Sequence, residues 1–239
     1  MKIAAAQFTS VPGAVGANVR AMADLIRSAA AQGARLVVFA ELAVTGYEVG
    51  LIAKDAGLTL TEDDPRLEPV RQACRTGGIA AVLGCPVSTE SGRPAITALV
   101  IGPDGALLTR YDKVHLHGVE NDVFAAGDKD GRFTLDGTRF ALAVCYDNRF
   151  PELAERAAAD GCRVYVASSV LTAENDSFET VYPVRARENG LYVVLANAVG
   201  VSPIGDCPGD SGVWGPDGDL LATAGPAAPG LAITEIRTP

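Results

Sequence analysis

Phe140-Ala141-Leu142-Ala143-Val144-Cys145-Tyr146-Asp147-Asn148-Arg149-Phe150-Pro151 is the stretch from which the fold can be read. Its first half is an uninterrupted apolar run, too short for a core helix and suited to a strand buried on both faces. Pro151 has the fixed φ and missing N–H that suit the first position of a helix, and a helix through Asp160 follows. Cys145 therefore stands in a strand-to-helix turn. A thiol at such a bend can lie near backbone N–H groups and the positive end of a helix dipole, which favour a thiolate and can stabilise an oxyanion. A buried structural cysteine fits the same position.

The rest of the chain repeats this alternation. Lys2 to Phe8 reads as a strand. Val19, Met22, Leu25, Ile26 and Ala29 then fall at helical spacing within Ala17 to Gln32, and Gly33 is a stop. Leu36 to Phe39 is a second buried strand. A helix over Pro65 to Thr76 leads into a strand over Ile79 to Leu83, and a hairpin pairs Ala95 to Ile101 with Ala106 to Tyr111. Beyond Pro151 the pattern continues with a strand over Val164 to Ala167, a helix over Phe178 to Glu188, and strands over Tyr192 to Ala198 and Leu231 to Ile236. Gly102-Pro103-Asp104-Gly105-Ala106-Leu107-Leu108 is echoed by Gly215-Pro216-Asp217-Gly218-Asp219-Leu220-Leu221. Pro-Asp-Gly sets φ, offers a side-chain acceptor and tolerates positive φ, so both segments read as turns. Two related α/β halves, each contributing one sheet, would pack face to face. The expected fold is an α/β four-layer α–β–β–α sandwich of two mixed sheets with outer helices, forming a single domain over residues 1–239.

Composition narrows the function classes. The net charge is −9 and no basic run is visible, so nucleic acid and an anionic membrane surface are poor partners. Cys74, Cys85, Cys145, Cys162 and Cys207 are odd in number and form no C-x-x-C pair, and only two histidines accompany them. This argues against a disulfide framework or a zinc site; no metal and no cofactor are expected. Met1 to Phe8 lacks the apolar core of a signal peptide, and no apolar stretch approaches the roughly 20 residues of a membrane span. A cytoplasmic protein with free thiols is the expectation.

Two further groups share the placement of Cys145. Glu41 ends the strand Leu36 to Phe39, and Lys113 follows the strand ending at Tyr111. Each has an ordinary reading as a solvated strand-end charge. Together they suggest more, because ligands of α/β sheets bind outside the carboxyl ends of strands. Thiol, carboxylate and ammonium supply the nucleophile, proton shuttle and oxyanion stabiliser that amide cleavage needs.

On these residues the chain resembles the nitrilase, or carbon–nitrogen hydrolase, superfamily along essentially its whole length. The motifs are Phe39-Ala40-Glu41-Leu42-Ala43-Val44-Thr45-Gly46-Tyr47, then Tyr111-Asp112-Lys113-Val114-His115-Leu116 with Glu120 and Phe124, and Cys145 to Glu152. Arg185 to Gly190 and Gly209-Asp210-Ser211-Gly212 match later landmarks. The form of the cysteine motif is similar to that of the branch containing omega-amidases and deaminated-glutathione amidase, which implies amides rather than nitriles as substrates. Ala40 stands where the family commonly has Pro, Phe124 to Gly127 lack a frequent Pro, and the chain ends soon after its last strand.

The resemblance implies hydrolysis of the C–N bond of a small linear amide, with ammonia released. Glu41 would take the proton of Cys145, whose sulfur attacks the carbonyl. Lys113 and the N–H of Tyr146 would hold the oxyanion, and Glu120 would orient Lys113 and the substrate. Tyr47, Tyr146 and Arg149 become candidates for lining the substrate pocket. Arg149 and Arg185 would each pair either with a substrate carboxylate or, as braces of the fold, with Glu152 or Glu188. A homodimer or higher homo-oligomer is also implied. Other outcomes of the same triad are a nitrile or N-carbamoyl hydrolase, an amide acyltransferase, or an inactive scaffold protein of the family. A cysteine–histidine dyad using His115 or His117 is a competing mechanism. Gly209 to Gly212 also spells a serine-protease tetrapeptide, but no histidine lies in a protease context to serve it.

Overall fold

The computed structural model describes residues 1–237. In chain order its elements begin with β1 (Lys2–Gln7), α1 (Val15–Ala31), β2 (Ala34–Val38), α2 (Val49–Ile52), α3 (Glu68–Gly77), β3 (Ala80–Val87), β4 (Ala95–Ile101) and β5 (Leu107–Asp112). They continue with α4 (Glu120–Val123), β6 (Gly131–Leu135), β7 (Thr138–Val144), α5 (Pro151–Ala159), β8 (Val164–Ser169), α6 (Ser177–Thr180) and α7 (Tyr182–Asn189). The last are β9 (Tyr192–Asn197), β10 (Val199–Ser202), β11 (Gly205–Pro208), β12 (Gly212–Trp214), β13 (Leu220–Thr223) and β14 (Gly230–Glu235).

Two mixed six-stranded sheets form, in the orders β14-β1-β2-β3-β4-β5 and β13-β12-β9-β8-β7-β6. Read from β14 in one and β6 in the other, the pairing sense is the same. One antiparallel pair is followed by two parallel pairs, β1–β2–β3 and β7–β8–β9, and then by two antiparallel pairs. The sequence echo is thus a structural one. In both hairpin turns the glycine N–H and the following N–H make equivalent bonds: Gly105 to Gly102 O at 2.8 Å, and Gly218 to Gly215 O at 2.8 Å. Both glycines have positive φ, +78° and +90°, as such a turn demands.

Alternation along the strands builds the layers. Phe140, Leu142, Val144, Val164, Val166, Val194 and Ala196 face the first sheet and share one apolar core with Ile3, Leu36, Val82 and Leu99. Their neighbours Ala141, Ala143, Tyr165, Ala167, Val193 and Leu195 face outward and are covered by Leu153, Ala154, Tyr182 and Ala186 of α5 and α7. On the other side α1 turns Val19, Met22, Ile26 and Ala29 inward, and α3 packs against it. The fold is the four-layer sandwich expected.

Three details differ from expectation. The helix foreseen over Phe178 to Glu188 is two pieces, because Pro183 has no N–H to donate and its ring excludes the preceding turn. The halves do not each keep their own sheet. β14, near the C-terminal end, crosses over to pair with β1, covering what would otherwise be an open edge. Strand β3 runs on through Pro86, past the end of its pairing with β2 at Val82, so the missing N–H costs no ladder bond there.

Candidate active site

The three candidate groups leave their strands at one end of the sandwich, and the structure brings them together. Glu41 follows β2 in a tight turn. Phe39 N–H donates to Val82 O at 2.9 Å and Val44 N–H to Gly84 O at 3.1 Å, which folds the turn down onto β3. Gly84 permits this approach, since a Cβ there would stand 2.2 Å from Ala40 O. Gly127 does the same beneath the lysine segment, where a Cβ would meet Asp112 O at 2.2 Å. Cys145 opens a 3-10 turn over Cys145–Arg149 and has φ +48°, and Leu42 beside Glu41 has φ +50°. Left-handed backbone at non-glycine residues costs on the order of 1–3 kcal/mol and persists where packing dictates it.

Lys113 is completely buried and lies between two carboxylates. Its ammonium donates to Glu41 Oε1 at 2.7 Å and Glu120 Oε1 at 2.8 Å. Glu120 in turn accepts from the Tyr47 hydroxyl at 2.6 Å and the His117 N–H at 2.8 Å. Among the described residues nothing donates to the buried Glu41 Oε2, leaving one acceptor of the carboxylate open. The Cys145 thiol is the partly exposed member and points to Val170 O at 3.7 Å.

The charges follow from this burial. Desolvation raises the Glu41 carboxyl to about 7; Lys113 pulls the other way, while Glu120 adds to the rise. Burial opposes the Lys113 charge, yet Glu41, Cys145 and Glu120 together push its pKa above the ordinary value. The Cys145 thiol is pushed well up by burial and then by Glu41. A thiolate favoured by the turn and a helix dipole is therefore not the resting form. The helix begins only at Pro151, and desolvation beside a carboxylate dominates. The site holds a neutral thiol, a raised carboxyl and a fixed ammonium.

A cavity of about 310 Å³ opens at Cys145. Tyr47, His117, Glu120, Tyr146, Arg149, Val170, Leu171, Thr172, Asn175, Ser177 and Ile204 line it. Tyr47, Tyr146 and Arg149 stand on the cavity wall, and Arg149 pairs with Asp176 at 2.6 Å rather than with Glu152. Arg185 is buried and donates to Asn148 O at 3.1 Å and Arg149 O at 3.3 Å, bracing the turn after Cys145, with Glu188 only 3.8 Å away. Ser211 is fully buried and is bonded by Asn197 N–H, a structural post. Sequence reasoning missed the wall from Val170 to Ser177 and Ile204, which carries no motif. It also gave Asp147 no task, although the residue lies inside the cysteine motif.

Residues 2–239 match the model of the carbon–nitrogen hydrolase family. Omega-amidase of Homo sapiens is 32% identical over 225 residues, covering 87% of this chain and 79% of that protein. Deaminated glutathione amidase of Synechocystis sp. is 32% identical over 249 residues, covering 98% and 90%. Among solved structures, a Glu-to-Gln variant of the amidase from Nesterenkonia sp. AN1, with acrylamide added at its active-site cysteine, superposes with a TM-score of 0.91. It is 30% identical, and the match covers 99% of this chain and 93% of that one. A Cys-to-Ala variant of the same amidase in complex with butyramide gives 0.90 at 30% identity, covering 99% and 90%. Sequence and architecture agree from end to end, and the chain belongs to the carbon–nitrogen hydrolase family.

Proposed function

We propose that the protein hydrolyses the C–N bond of a small linear amide through a thioester on Cys145, with Glu41 as general base and Lys113 as oxyanion stabiliser. The observation that carries this is the buried Lys113 ammonium held between Glu41 and Glu120 beside a thiol that opens on a cavity. Glu41 at about 7 accepts the thiol proton as sulfur bonds to the amide carbon. The carbonyl oxygen gains charge near Lys113 and the Tyr146 N–H. Glu41 passes the proton to the departing nitrogen, and ammonia leaves. A water that gives its proton to Glu41 then attacks the thioester, releasing the carboxylic acid and restoring the thiol. Glu120 keeps Lys113 in place with help from Tyr47.

Relatives named for omega-amide and deaminated-glutathione substrates favour amides over nitriles and carbamoyl compounds. Arg149 on the cavity wall would meet a distal carboxylate of such a substrate by releasing Asp176. The test is ammonia release from a panel of small amides, including omega-amides of keto acids, by the wild type and Cys145→Ala. Ammonia release that persists in Cys145→Ala sinks the nucleophile assignment. Adding hydroxylamine and identifying the products separates hydrolysis from acyl transfer.

A further inference from the structure

Asp147 is fully buried two residues past Cys145. Its Oδ2 accepts from the Tyr111 hydroxyl at 2.8 Å and the Val144 N–H at 3.0 Å. Its Oδ1 accepts from the His115 N–H at 2.9 Å and lies 2.9 Å from His115 Nδ1. The partners are telling: Tyr111 and His115 stand two residues either side of Lys113, and Val144 immediately precedes Cys145. One carboxylate thus ties the segment carrying the ammonium, from the first sheet, to the turn carrying the thiol, from the second. Among the described residues, every side-chain hydrogen bond between segments 111–117 and 144–150 ends on Asp147. Aromatic contacts join the same two segments. His115 stacks on Phe150 with centroids 3.6 Å apart, and His117 lies against Tyr146 at 4.6 Å.

We propose that Asp147 is a positioning residue that sets the placement of Lys113 relative to the sulfur of Cys145. The proposal rests on the amide-hydrolase reading of the site. A carboxylate serves here because its oxygens accept at every position; an amide would turn an NH₂ toward either the Val144 N–H or the His115 N–H, donor against donor. Displacing a catalytic group by about 1 Å costs on the order of 100-fold in rate. Substrate contacts are untouched, since Asp147 does not line the cavity.

The test compares wild type, Asp147→Asn and Tyr111→Phe, the last removing only one hydroxyl from the clasp. Circular dichroism establishes that each variant is folded. Two rates are then read: turnover of the best amide, as kcat and KM separately, and alkylation of Cys145 by iodoacetamide. The expected result is kcat down roughly 100-fold in Asp147→Asn and about 5-fold in Tyr111→Phe. KM should stay within about two-fold of wild type, with alkylation slowed in the same order. Should Asp147→Asn not fold, Tyr111→Phe decides alone. Folded variants that keep wild-type kcat and alkylation rates, or that lose activity through KM alone, overturn the proposal. If the wild type itself turns over no amide, the functional reading falls, and the alkylation rates still decide the role of Asp147.

Discussion

Glu41 keeps its proton to about pH 7 because burial outweighs the attraction of Lys113. As the general base we propose, it must be ionised, so kcat/KM is expected to fall as pH drops below about 7, with a single acid limb that Glu41→Gln abolishes along with most activity. A loss of about 100-fold or more is the magnitude expected of a removed base. The same shift has a thermodynamic sign. The unfolded carboxyl loses its proton near 4.5 and the folded one near 7, so this group's contribution to stability declines as pH rises between those values. Melting temperature against pH for wild type and Glu41→Gln checks it, the variant losing that decline. The histidines are placed differently: His115 faces Asp147, and His117 donates its N–H to Glu120. The double variant His115→Ala/His117→Ala is expected to keep activity within about ten-fold. Near-complete loss would restore histidine as the base.

At the scale of elements, a glycine lies under each of the segments that carry Glu41 and Lys113. Gly84→Ala would drive a methyl group into the backbone of the Glu41 turn. It is expected to cost about 1–3 kcal/mol of stability and most of the activity, measured by urea denaturation and amide turnover. Here the limits of the sequence are plain. Strands, helices and both Pro-Asp-Gly hairpins were legible because apolar runs, helical spacing and turn chemistry are local signals. Glu41, Lys113 and Cys145 were legible as candidates because each stands just past a strand inside a motif. Gly84 was not, because its neighbour is a turn more than 40 positions away in the chain that packs on it only after folding. The helix expected over Phe178 to Glu188 took no account of Pro183, the local signal that divides it. Strands β10 and β11, which pair antiparallel as a hairpin arm, and the Val170 to Ser177 wall had no periodicity to read.

For the whole molecule, the decisive fact is that two sheets divide the site between them. Glu41, Lys113 and Glu120 come from the first, Cys145 and its turn from the second, and the inner faces share one core. Unfolding is therefore expected to be cooperative across the halves. Trp214, the only tryptophan, reports on the outer face of the second sheet. Its fluorescence, far-ultraviolet circular dichroism and enzyme activity should be lost in one coincident urea transition; a separate earlier loss of activity would contradict this.

The contrast between the central strands and the β10–β11 arm has a consequence on another timescale. Every residue of β3, β8 and β9 is buried, whereas Val201 at the arm's end is 86% exposed. Backbone deuterium uptake should therefore come last in Ala80–Val87 and Tyr192–Asn197 and early in Val199–Pro208. The arm carries the cavity-wall residue Ile204, while the Glu41 turn is folded onto β3 by Val44 N–H to Gly84 O, so two parts of one candidate site are expected at opposite ends of that scale. In the proposed reaction the acyl group would meet, at Ile204, a segment expected to exchange early, while Glu41 stands on a turn bonded to a strand expected to exchange last.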